Sequence, residues 1–172
     1  MIEELVKPVR AKKAVKPPKE VAVEYGRKDV SSLKNEAILP YSDDSVDEFR
    51  ITNVIEFLNP VDRIHLVNEI YRTLKSDSKA YISCHYWCAS KAFGDLAVQW
   101  PPVSESWIFH LNKEWREKNN PYDDSYTCDF DHTWGYGMHH SILSRNQEYQ
   151  QHAIIFWKEA AQDLMATLIK NR

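Results

Sequence analysis

One stretch, residues 46–84, limits the possible folds of this chain more than any other. Val46–Thr52 reads as a strand, with residues 53–58 a short turn or helix behind it. Asn59-Pro60 then marks a helix start. Asn is suited to the N-cap, Pro has no amide to lose at the first helical position, and Asp62 lies at the positive end of the helix dipole. Val61, Ile64, Val67, Ile70, Tyr71 and Leu74 recur at steps of three and four, which gives an amphipathic helix ending near Lys75. Ser76-Asp77-Ser78 turns the chain, and residues 79–84 read as the next strand. Strand, helix and strand in so short a span form a crossover unit with two parallel strands, so the fold is α/β.

The flanking segments fit the same class. Residues 21–25 form a short strand, and 39–45 carry turn chemistry in Pro40, Asp43, Asp44 and Ser45. Ser104 caps a helix through Lys118 with Trp107, Leu111 and Trp115 on one face, and 119–124 is a loop. A strand is expected within 133–143, a helix over 146–161, and a last strand over 164–169. A length of 172 residues suits one folded domain. With 43% hydrophobic and 27% charged residues the composition is that of a soluble globular protein. No run of eighteen apolar residues and no apolar leader occur, so no membrane segment is expected and the expected compartment is the cytoplasm. Three cysteines fit reduced thiols better than a disulfide framework.

Charge divides the chain. Residues 1–20 hold Lys7, Arg10, Lys12, Lys13, Lys16 and Lys19 with Pro8, Pro17 and Pro18, against Glu3, Glu4 and Glu20. This is a basic arm, and 21–172 is the folded domain. The arm is either a solvated extension or docks on an acidic protein surface or nucleic acid. A net charge of -3 argues against the whole protein coating nucleic acid.

The run LPYSDDSVDEFRITNVIEFLNPVDRIHLVNEIYRTLKSDSKAYIS (39–83) resembles the middle of class I S-adenosylmethionine-dependent methyltransferases, most closely the phage and bacterial branch. The resemblance extends to PVSESWIFHLNKEW (102–115), CDF (128–130) and EYQQHAIIFWKEAAQDLMATLIK (148–170). It implies an incomplete Rossmann-like methyltransferase sheet with flanking helices, and S-adenosylmethionine as cofactor if the protein is active. The family's glycine-rich loop and the acidic residue about twenty positions later are missing. Among only four glycines, Gly26 is the one early site, and the family's first two strands are expected to be absent. By the resemblance, Asp29 and Val30 match the pair that flanks the adenine, though a turn-capping Asp explains Asp29 equally well. Thr52 and Asn53 match the strand end that lines the methionine portion, and Glu56 matches the family's glutamate, with Phe57 in place of its partner His. Ser76-Asp77-Ser78 replaces the family's proline and paired glycines.

Losing the first strands would expose a central strand edge. Residues 21–25 sliding in, a second copy, or another protein would each cover it, so a homo-oligomer or a protein partner is expected. Cys84, Cys88, Cys128 and His132 form two pairs that zinc would accept, but their spacing is loose and buried structural cysteines are the simpler reading. Adjacent His139 and His140 on a strand would face opposite ways. The six tryptophans are read as core and interface rings rather than base-stacking platforms. The expected function is a degenerate, non-catalytic binding or structural component of an assembly, in a phage, hence in host cytoplasm or virion. The alternative is an active methyltransferase completed by a partner or second copy, with Asp29, Asn53 and Glu56 as the residues to test. A closed pocket beside Thr52 and Cys84 would favour the enzyme; ring filling there, with an apolar patch elsewhere, would favour the component.

Overall fold

The structure, a computed structural model, describes residues 20–24 and 38–172. Its strands are β1 (Glu20–Glu24), β2 (Val46–Thr52), β3 (Leu74–His85), β4 (Phe130–Met138) and β5 (Ala161–Lys170), in one sheet of order β1–β2–β3–β5–β4. β1, β2 and β3 are parallel, and β5 runs antiparallel between β3 and β4. The helices are α1 (Pro60–Thr73), α2 (Lys91–Gly94), α3 (Glu105–Phe109), α4 (Lys113–Asn119), α5 (His140–Leu143) and α6 (Gln147–Phe156), with a 3-10 turn at Ile55–Phe57.

The crossover unit forms as its sequence dictates. Asn59 caps α1 by accepting from the Asp62 amide at 3.0 Å, and Leu66, Val67 and Ile70 enter the core beside Phe49, Ile51 and Ile82. Arg63 is buried under the turn and donates to the carbonyls of Ile55, Leu58, Gln99 and Pro101, at 2.6–2.9 Å. It thereby ties α1 to the segment after β3, and leaves none of those carbonyls wanting a donor.

β1 takes the place beside β2 that the sequence left open, with Glu20 opposite Glu48 and Glu24 opposite Thr52. The edge that a partner was expected to cover is therefore filled from within the chain. Only residues 25–45 separate these two parallel strands.

Several local expectations are corrected. The expected turn at 76–78 is a bulge inside a longer strand, because fully buried Leu74 draws the chain directly into the sheet. The pairing steps from Val46–Leu74 to Glu48–Lys79, and Asp77 takes a left-handed φ of 62°. The single helix expected over 104–118 is two, because Asn112 starts α4 by accepting from the Trp115 amide at 2.9 Å. Ser104 makes no side-chain cap. His139 and His140 lie past the end of β4, where the turn into α5 brings their rings to 4.1 Å instead of opposing them.

The two faces of the sheet differ. One carries Phe49, Ile51, Ala80, Ile82, Cys84, Phe130, Leu164 and Leu168, all buried against the helices. The other carries Glu48, Arg50, Thr52, Lys79, Tyr81, Ser83, Thr133, Met165 and Thr167, all exposed or half-buried.

Candidate functional site

In open α/β sheets, ligands bind beyond the C-terminal ends of the parallel strands. Here that end gathers Thr52, Asn53, Glu56, Ser83 and His85. Thr52 ends β2 with its side chain exposed on the bare face. Asn53 turns the chain with a left-handed φ of 53°, and its amide donates to the Ser83 carbonyl at 2.8 Å. Asn tolerates that conformation better than most side chains, so its identity has a backbone reason independent of any ligand.

Glu56 is 1% exposed. Its Oε1 accepts from the His85 amide at 3.1 Å and lies 3.5 Å from His85 Nε2, while Oε2 has no partner. Burial pushes the Glu56 carboxyl up to about 7, against the pull of the amides that donate to it. Burial also lowers the His85 imidazole, with Lys91 adding to the effect. Near neutral pH the Glu56 carboxyl is therefore part protonated, and the Phe57 ring meets His85 edge-on at 6.0 Å. Lys91 and Asp163 close the rim as an ion pair.

Thr52, Asn53 and Glu56 are thus neighbours in space that do not converge. Thr52 faces outward, Asn53 serves the turn, and the Glu56 carboxylate points inward to the backbone of β3. A nucleoside cofactor needs hydroxyl-binding carboxylate and close backbone at one accessible cleft. The Glu56 carboxylate, 1% exposed, does not open onto the space beside Thr52. Asp29 and Val30 lie outside the described residues. The space next to Thr52 and Ser83 is an open trough of about 390 Å³ along the bare face, lined also by Tyr81, Gly135 and Met165. It is not the closed pocket that an enzyme reading called for.

Sequence reasoning missed His85, Lys91, Asp163 and Arg63. His85 carried a usable signal as the residue ending a strand of a crossover unit. The others act through contacts between segments distant in sequence. The cysteines do not pair with His132: Cys88 donates to the Ala161 carbonyl at 3.2 Å and Cys128 to that of Leu111 at 3.8 Å. Among the described residues no group of three or more His, Cys, Asp or Glu is placed to hold a metal ion.

A second feature stands just past β3. Trp87, Phe93, Leu96, Trp100, Ile155, Phe156 and Trp157 are exposed, and Trp87, Cys88, Phe93 and residues 154–158 line a slot of about 280 Å³.

The sheet order and the antiparallel closing strand are those of a class I methyltransferase fold, and a solved methyltransferase structure shares that fold. A S-adenosylmethionine-dependent methyltransferase from Archaeoglobus fulgidus is 16% identical, with a TM-score of 0.51 over 82% of this chain. A putative methyltransferase of Haloferax volcanii, solved with the Trm112 methyltransferase activator, is 15% identical, with a TM-score of 0.47 over 81% of the chain. The chain spans 64% and 60% of the length of those two structures. No family model and no curated protein matches the sequence. The likeness defines a methyltransferase-like, Rossmann-type fold. No helix among the described residues is long and apolar enough to cross a membrane.

Proposed function

We propose that the protein is a methyltransferase-fold binding component of an assembly and does not transfer methyl groups by itself. One observation carries this reading: the sheet has a face that was never built to be covered. Parallel strands of doubly wound sheets are covered on both sides and read as apolar on both. Here β2 and β3 turn Glu48, Arg50, Thr52, Lys79, Tyr81 and Ser83 to one side. A second helical layer has no apolar seat there.

Three further points support it. The chain has no glycine-rich loop, Glu56 faces inward, and the exposed rings past β3 form a patch larger than an unpartnered surface usually keeps. The resemblance of residues 39–83 makes a phage assembly the setting, in host cytoplasm or virion, and the basic arm a contact to an acidic protein surface or nucleic acid.

Calorimetric titration with S-adenosylmethionine and S-adenosylhomocysteine tests the reading. No heat of binding at millimolar ligand is expected. Micromolar binding would overturn it.

One observation favours the second reading, a methyltransferase completed by a partner. A buried carboxylic acid with an orphan oxygen, poised near neutrality, survives at the strand ends. That reading requires cofactor binding that weakens on Asp29→Ala and Asn53→Ala.

A further inference from the structure

We infer that the aromatic slot past β3 is a self-association surface, on which a second copy of this chain docks about a twofold axis. The slot is formed by two segments far apart in sequence, the loop after β3 and the end of α6. Their relative position is fixed by hydrogen bonds. The Glu159 carboxylate accepts from the Ser90 amide at 2.6 Å, the Glu159 amide donates to the Cys88 carbonyl at 3.3 Å, and Cys88 Sγ donates to the Ala161 carbonyl. The Trp157 ring is held edge-on against Tyr149 at 5.2 Å. The walls are preorganised, so docking costs little ordering entropy.

The surface contains both halves of its own complement. Trp87 and Phe93 line both the slot and an adjoining hollow that runs to Trp100. Ile155 and Phe156, 71% and 68% exposed, line the same slot, so exposed side chains and the recess they border belong to one patch. An isologous interface needs one patch that presents knob and hole together, so that each copy's projection enters the other's recess.

The size also fits. Six large apolar side chains line the slot and the adjoining hollow, each about half exposed or more, and present on the order of 600–800 Å². A stable interface takes about 800 Å² from each partner. Lys158 lines the slot and Glu105 the adjoining hollow, so the patch bears both signs and selects neither an acidic nor a basic partner. Both signs on one patch are what a twofold pairing uses.

Sedimentation velocity of the full chain from about 1 to 100 µM tests the inference. The wild type is expected to run as a dimer at the upper end. Phe156→Glu is expected to raise the dissociation constant roughly thirtyfold or more, the loss of a hot-spot residue. The side chain is exposed, so the variant keeps its melting temperature, and circular dichroism checks this. A wild type that stays monomeric throughout overturns the inference. So does a Phe156→Glu protein that dimerises like wild type, or a Tyr81→Ser protein that loses the dimer, since that would move the contact to the bare sheet face. The inference stands apart from the binding-component reading. Cofactor binding would sink that reading and leave the dimer intact, whereas a monomer would sink the dimer alone.

Discussion

The covered and bare faces of the sheet are made by the same strands, residue by residue in alternation, yet they obey different rules. In β3, Ala80, Ile82 and Cys84 are buried while Lys79, Tyr81 and Ser83 face the other way. The register holds the partition across the sheet: Tyr81 lies opposite Arg50 on one side and Thr167 on the other, and Ile82 lies between Ile51 and Ala166. On the bare face the residues satisfy each other sideways, as where Arg50 lies 4.9 Å over the Tyr81 ring. The difference teaches that this sheet, parallel in two of its four pairings, behaves as a one-sided sheet. Among the described residues its main hydrophobic core lies on one face, against the helices.

The sharpest way to break that comparison is to remove a large ring from the covered face. Phe130 is fully buried and meets Tyr71 edge-on at 5.2 Å. Phe130→Ala is expected to cost about 3–5 kcal/mol in urea unfolding, from lost transfer energy plus the cavity left behind. A loss under about 1 kcal/mol would mean that the core repacks freely and that the one-sided burial is not what holds the sheet.

A smaller effect tests the strand ends, where the polar intrusion into the covered side is Glu56. Its folded carboxyl titrates at about 7 against an ordinary 4.5. The folded state therefore holds a proton that the unfolded state has released. Stability is full below pH 4.5 and falls as pH rises to 7, by up to about 3 kcal/mol. His85 works in the opposite sense. Its lowered imidazole stays neutral in the fold, so its contribution is present above its ordinary 6.5 and lost as pH falls. Glu56→Gln keeps the acceptor for the His85 amide and removes the titration. The variant should match wild type near pH 5 and exceed it by about 2 kcal/mol at pH 8. A variant no more stable at pH 8 would place the Glu56 carboxylate in contact with water.

How much of this was legible beforehand follows the range of the interactions. The β2–α1–β3 unit could be read because Asn59, Pro60 and the three-and-four spacing act within a few residues of one another. Val46–Thr52 forms as expected, and the helix over 146–161 begins at its Asn146 cap, which accepts from the Tyr149 amide. The break between α3 and α4 was hidden, since Leu111 must be buried and Asn112 then caps anew. At the site, Glu56 was found through its place in a familiar phrase, but its direction was not. Which way a carboxylate points depends on the His85 amide, 29 residues away. Arg63 was invisible for the same reason, because two of its acceptors, Gln99 and Pro101, lie in an irregular loop.

The smallest expected effect is the most telling, because it asks whether the bare face is bare in solution. Met165 is 46% exposed and lies opposite Ser83, with half-buried Tyr81 one pleat away. If water covers this face, removing the ring and the thioether in Tyr81→Ser with Met165→Ser removes little buried area. Strand propensity and the lost Arg50 contact are the main terms, and the change should stay near 0.5–1 kcal/mol in the same urea experiment. A loss of about 3 kcal/mol or more would mean that these side chains are packed under another layer. The two faces would then be alike, and the sheet would be covered on both sides as in a complete doubly wound fold.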